Sequence, residues 1–169
     1  GAFPLTFVVN DAAGCTSSQD ITLVVNCPAI SISPTTLADG TAGVAYGSVT
    51  FSQSGGLGAI TWSIAAGAFP AGLTLSPAGV LSGTPTVVGT FSVTVKATDI
   101  NGCTGQQTLS IQIVCPTITV NPVVLGNGSA GVAYPPVNFT QTGGLMPITW
   151  SLGLGTLPAG MTLSPAGLL

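Results

Sequence analysis

GTFSVTVKATDINGCTGQQTLSIQI, residues 89–113, is written in a two-residue rhythm. Phe91, Val93, Val95 and Ala97 alternate with Ser92, Thr94, Lys96 and Thr98; further on, Leu109, Ile111 and Ile113 alternate with Ser110 and Gln112. Successive side chains of a strand point to opposite faces, so each run reads as a half-buried strand with one apolar side. The intervening DINGCTG (99–105) supplies turn residues, which makes the pair an antiparallel hairpin.

Shorter strand signals lie upstream. They are AISIS (29–33), stopped by Pro34, SVTFSQ (48–53), AITWSI (59–64), LTLS (73–76) and GVLSG (79–83). No segment carries a helical period of useful length. The pattern recurs along the chain: Cys15 and Cys103 stand 88 residues apart, as do Cys27 and Cys115. The same shift lays GTAGVAY (40–46) on GSAGVAY (128–134) and ITWS (60–63) on ITWS (148–151). Over 28–81 against 116–169, 31 of 54 positions are identical, which establishes an internal repeat. About seven short strands per repeat fit an immunoglobulin-type sandwich. The expected fold is therefore all-β, a tandem of immunoglobulin-like β-sandwich repeats of 88 residues. Residues 28–115 form one complete repeat, 1–27 the C-terminal hairpin of a preceding one, and 116–169 the N-terminal part of a following one.

Composition excludes several functions. Charged residues are 3% of the chain, against roughly a quarter in ordinary proteins. Lys96 is the one basic residue, so no cluster exists to neutralise phosphate, and nucleic-acid binding is not expected. The 46% hydrophobic content, alternating with Ser and Thr, argues against disorder. No apolar run has the length of a membrane span. There is no His, no Glu, no carboxylate pair at useful spacing and no base to activate a serine, so no enzyme and no cofactor are expected.

At LPAGMTLSPAG (157–167), FPAGLTLSPAGVLSGTPTVVGTFSVTVKATD (69–99) and GVAYGSVTFSQSGGLGAITWSI (43–64) the sequence resembles the putative Ig domains that occur as tandem repeats in very large bacterial surface proteins, related to cadherin-like domains of dystroglycan type. The resemblance runs the length of the chain. It implies an extracellular or cell-surface stalk, fibre or adhesin. Some cadherin-like relatives bind calcium through several acidic residues between domains. Here the matched turns supply one Asp each, Asp11 and Asp99, and the ordinary reading is a carboxylate that bonds its own turn.

The outer segments are each incomplete. In 1–27, Phe3, Leu5, Phe7, Val9, Ile21, Leu23 and Val25 would lie bare on one face of an isolated hairpin. In 116–169, Trp150, Leu157, Met161 and Leu163 lack the two strands that should cover them. Each exposed apolar side chain forfeits on the order of 1.5–3 kcal/mol. A dozen together exceed the usual stability of a domain, roughly 5–15 kcal/mol. The expectation is completion by another copy, in a head-to-tail polymer whose subunits donate a hairpin or in a longer covalent array. Two periods would span 176 residues, seven more than the chain has, and the seven match SGTPTVV (82–88).

The cysteines fit this scheme. Cys103 lies in the turn and Cys115 at the far end of the final strand, some 40 Å away if the strand is straight. A disulfide needs Cα atoms within about 7 Å. Sandwich topology brings the turn to the end where Cys27 enters, which predicts a Cys27–Cys103 bond and sends Cys115 to the Cys15 equivalent of the next copy. Four free buried thiols are the alternative. The spacing suits no zinc knuckle, so no metal site is expected. Disulfides imply an oxidising, extracellular compartment. Trp62 and Trp150 read as core residues rather than sugar platforms. Asn127–Gly128–Ser129 and Asn138–Phe139–Thr140 are candidate glycosylation sites, and glycans would help a chain with so few charges stay soluble. Function reads as a structural building block of an extracellular filament, fibre or stalk, with an adhesin for a glycan or protein as the alternative.

Overall fold

The computed structural model describes residues 1–169 and contains strands but no helices. Two strands precede the complete repeat, β1 (Ala2–Asn10) and β2 (Thr16–Val24). Within it run β3 (Ser31–Ser33), β4 (Gly40–Thr41), β5 (Tyr46–Thr50), β6 (Ser52–Ser54), β7 (Thr61–Gly67), β8 (Leu73–Leu75), β9 (Val80–Gly83), β10 (Gly89–Thr98) and β11 (Thr104–Val114). After it come β12 (Thr119–Asn121) and β13 (Thr140–Thr142).

The complete repeat packs a four-stranded sheet, β4–β11–β10–β7, on a three-stranded sheet, β5–β9–β8, with the β3–β6 ribbon at the side. The β10–β11 hairpin pairs antiparallel from Gly89↔Ile113 to Thr98↔Thr104. Its apolar face supplies the centre of the core: Val93, Val95, Ala97, Leu109, Ile111 and Ile113 are all buried. The opposing sheet contributes Leu73 and Leu81, and Phe51 and Trp62 close the cluster with ring centroids 5.7 Å apart. Gly79 lets the indole lie against the backbone: its φ is +84°, and a Cβ there would stand 2.7 Å from the Trp62 Nε1.

The structure divides one stretch that alternation reads as a single strand. Residues 48–53 change sheets at Phe51, so β5 pairs with β9 whereas β6 pairs with β3. The Phe51 amide donates to Gly79 O at 2.7 Å, one step on in the β5–β9 register, before the chain passes to β3. This lets one strand contribute to two sheets, as strands at sandwich corners do. β7 starts two residues later than AITWSI suggests and runs on to Gly67, crossing a register shift against Thr94/Val95. The two-residue β4 carries no periodic signal; it exists because β11 offers it a parallel edge at Ile113↔Gly40 and Val114↔Thr41.

Candidate functional site

The hairpin β1–β2 repeats β10–β11 in register. Ala2↔Val24 through Asn10↔Thr16 corresponds to Thr90↔Gln112 through Thr98↔Thr104, one repeat later. The turn repeats too: Asp11 accepts from the amides of Ala13 (2.9 Å) and Cys15 (2.8 Å), as Asp99 accepts from Asn101 and Cys103 (both 2.9 Å). Burial differs completely. Phe3, Leu5, Phe7, Val9, Ile21, Leu23 and Val25 are all exposed, whereas their counterparts from Val93 onward form the core and Phe91 packs against it.

Residues 116–169 rebuild the frame that receives such a hairpin. β12 and β13 pair Thr119↔Thr142, as Ser31↔Ser54 pair in β3–β6. Phe139 N–H donates to Gly167 O at 2.7 Å and Trp150 N–H to Pro165 O at 3.1 Å, matching Phe51 to Gly79 and Trp62 to Pro77. The Tyr134 hydroxyl donates to Gly126 O as the Tyr46 hydroxyl does to Ala38 O. The Phe139 and Trp150 rings again lie 5.7 Å apart. Gly167 (φ +89°) sits under the Trp150 indole as Gly79 does under Trp62. The covering strands are missing, so Trp150, Leu157, Met161 and Leu163 are only half-buried. An open groove of about 780 Å³ runs between Leu125–Tyr134 and Leu157–Met161. In the complete repeat the corresponding place holds residues 84–86, with Pro85 buried, and the end of β11: Gly43 N–H donates to Pro85 O at 2.7 Å, Thr86 N–H to Ala71 O at 2.9 Å and Ala42 N–H to Val114 O at 3.0 Å.

A second join lies at the turn. One Asp99 oxygen holds the turn itself, and the other accepts the Leu57 amide at 3.0 Å, tying the hairpin to the GGL loop. Burial pushes the Asp99 carboxyl up, but the amides of Leu57, Cys103, Asn101 and Gly102 outweigh it and leave the group below its ordinary value. The Asp11 carboxyl is also lowered, chiefly by the Cys15 amide. Leu145 occupies the position of Leu57 one repeat on, and its amide has no carboxylate facing it. The Leu145 side chain instead lies against Gly43 of the preceding repeat, where a Cβ would collide with it. Sequence reading missed the Leu57–Asp99 and Leu145–Gly43 contacts; the matched glycines of GGL and AGVAY were the only trace of them.

Cys27 and Cys103 are joined in a disulfide, with Cα atoms 5.5 Å apart. Cys15 and Cys115 are free and exposed. Asn127 and Asn138 are exposed, the latter beside the lone bridge to Leu168. No group of three or more His, Cys, Asp or Glu gathers in metal-binding proximity. No helix is long and apolar enough to cross a membrane.

The family model described as "Putative Ig domain" matches residues 29–114, the span of the complete sandwich. The chain belongs to this Ig-like family. Among solved structures, a putative alpha-galactosidase from Bacteroides fragilis NCTC 9343 is 26% identical, with a TM-score of 0.43, over 54% of this chain and 19% of its own. Mouse cadherin-23 repeats EC22–24 are 17% identical, with a TM-score of 0.40, over 68% of this chain and 42% of theirs. Domains 1–4 of protocadherin gamma B7 are 12% identical, with a TM-score of 0.42, over 82% and 48%. The chain thus spans less than half the length of each. No curated protein matches it. An Ig-like domain stapled by a disulfide is equipment typical of extracellular structural and adhesive proteins.

Proposed function

We propose that this chain is a non-enzymatic building block of an extracellular filament, fibre or cell-surface stalk, made of Ig-like repeats in head-to-tail succession. One observation carries the reading. The bare hairpin β1–β2 and the open frame 116–169 match residues 89–115 and 28–81 of the repeat that 28–115 shows assembled, in the same register and with the corresponding internal backbone bonds, residues 82–88 having a counterpart in neither. A contact between unlike surfaces that repeats from unit to unit gives a linear array unless it closes into a ring. The apolar area left bare supplies the driving force, at roughly 25 cal/mol per Å² covered. The Cys27–Cys103 bond supports an oxidising location. Exposed Asn127 and Asn138 leave room for glycans on a surface with few charges.

Negative-stain microscopy and light scattering of the 169-residue chain across a concentration series test this reading. The expected result is linear particles that lengthen with concentration and advance by two domains per chain. Monomers at every concentration that retain a glycan or protein ligand would overturn it in favour of an adhesin.

A further inference from the structure

We propose that the complete repeat is an inextensible link: tension along the chain crosses the Cys27–Cys103 bond and runs down β11 to Cys115, so that residues 28–102 carry none of it. This role rests on the stalk reading above for the source of the tension.

Cys27 lies on the linker that enters the repeat and Cys115 on the linker that leaves it, 88 residues later. The disulfide joins Cys27 to Cys103, 76 residues on, with Cα atoms 5.5 Å apart. A pull on the two linkers therefore follows a covalent path of only the 12 residue steps from Cys103 to Cys115. Nearly all of that path is already strand, since β11 spans Thr104–Val114. A strand rises about 3.3 Å per residue, and no chain exceeds about 3.6 Å per residue. The path is thus about 40 Å long when folded and about 43 Å at full stretch, a slack of a few Å. Without the bond the same two points could separate to about 300 Å.

The loaded strand is held on all sides. β11 lies inside its sheet, between β10 and β4, and buries Leu109, Ile111 and Ile113. At the entry end Asp99 accepts the Cys103 amide at 2.9 Å and the Leu57 amide at 3.0 Å. At the exit end Val114 O accepts the Ala42 amide at 3.0 Å.

The other route out of Cys27 is weak. It leads through Pro28 into β3, which is three residues long and pairs with β6 only from Ser31↔Ser54 to Ser33↔Ser52. Tension there would peel these pairs one after another and draw Ile32 out of the core. The disulfide takes the load before it reaches them. β2 leads up to Cys27 as β11 leads away from Cys103, so the two strands and the bond form one covalent line.

Optical tweezers test this on the 169-residue chain, with handles coupled by click chemistry at residues 26 and 117 so that load falls on the complete repeat alone. The oxidised chain is expected to stretch with no step longer than about 10 Å. Dithiothreitol added at a constant force that unfolds the reduced repeat is expected to give one step of about 250 Å. A thiolate of the dithiol attacks the Cys27–Cys103 bond, and its second thiol then closes a ring and frees both cysteines as thiols, two electrons passing to the disulfide. A reduced chain that does not fold would still be about 250 Å longer than the oxidised one, so the comparison holds without refolding. A step above about 50 Å in the oxidised chain, or equal lengths in the two states, would overturn the proposal. Linear particles in micrographs together with such a long oxidised step would sink the load path and leave the array standing. An oxidised chain that gives no such step but stays monomeric at every concentration would keep the load path as a property of the repeat and remove the stalk.

Discussion

The hairpins β1–β2 and β10–β11 share a register, an Asp-anchored turn and an apolar face, yet one is bare and the other holds the centre of a core. Alternation therefore specifies which face of a strand seeks cover and does not supply the cover. In 28–115 the cover comes from β8, β9 and the Phe51–Trp62 stack, all earlier in the same repeat. For β1–β2 the equivalent residues are exposed.

The largest effect expected separates the hairpins directly. Val93→Asp places an unpaired carboxylate in a fully buried position, at a cost of several kcal/mol. The central repeat should lose its cooperative thermal transition or melt far lower by circular dichroism. Leu5→Asp, at the matching position, should leave that transition within about 0.5 kcal/mol of the wild type, because Leu5 touches no core in the isolated chain. The same substitution should abolish assembly in sedimentation. If Leu5→Asp lowers the melting of 28–115, the bare hairpin is part of that folding unit and the contrast between the two fails.

The turns sharpen the comparison at smaller scale. Asp99 has its carboxyl held below its ordinary value, so the folded state binds fewer protons than the unfolded one across the interval between the two. Its stabilisation is complete above the unfolded value, about 3.9, and is lost as pH falls through the lower folded value. Urea denaturation of the central repeat should therefore weaken on acidification below about pH 4. Asp99→Asn should destabilise at neutral pH, because an amide group cannot accept the Leu57 amide as well as the turn, and should flatten the acid limb. Asp11→Asn should leave the central repeat's curve unchanged at every pH. An acid limb equally steep in Asp99→Asn would assign the loss to another group.

The hairpins, the repeat and the Ig-like class could all be read from sequence, because the two-residue period and the 88-residue shift are local counts. The corner at Phe51 was hidden, since its apolar alternation continues unbroken while the chain passes from β9 to β3 as its pairing partner. β4 was hidden for the opposite reason: Gly40–Thr41 has no pattern of its own and is a strand only beside β11. Of the candidate site, the apolar residues and cysteines were visible as types and spacings. The Leu57–Asp99 and Leu145–Gly43 contacts were not, because backbone amides and glycines carry no side-chain signal for their partners.

The smallest effect probes a further place where the two hairpins differ. Gly105, the second residue of β11, lies against Ile30, and a Cβ added there would stand 2.8 Å from the Ile30 Cβ and closer still to its carbonyl oxygen. The matching residue of β2 is Ser17, and the matching residue of the frame is Ile118. A frame of this type that took β2 as 28–81 takes β11 would meet the Ser17 side chain at residues 117–118. Ser17→Gly removes that obstruction. It also adds chain entropy, which costs roughly 0.5–1 kcal/mol in a strand. Relief of a backbone overlap outweighs this, so the variant should associate a few-fold more tightly under reducing conditions. Gly105→Ser, the reverse change, should destabilise the central repeat by more than about 1 kcal/mol. Should Ser17→Gly bind more weakly while Gly105→Ser behaves as expected, β2 does not sit on its frame as β11 sits on its own, and the equivalence of the two hairpins ends at their register.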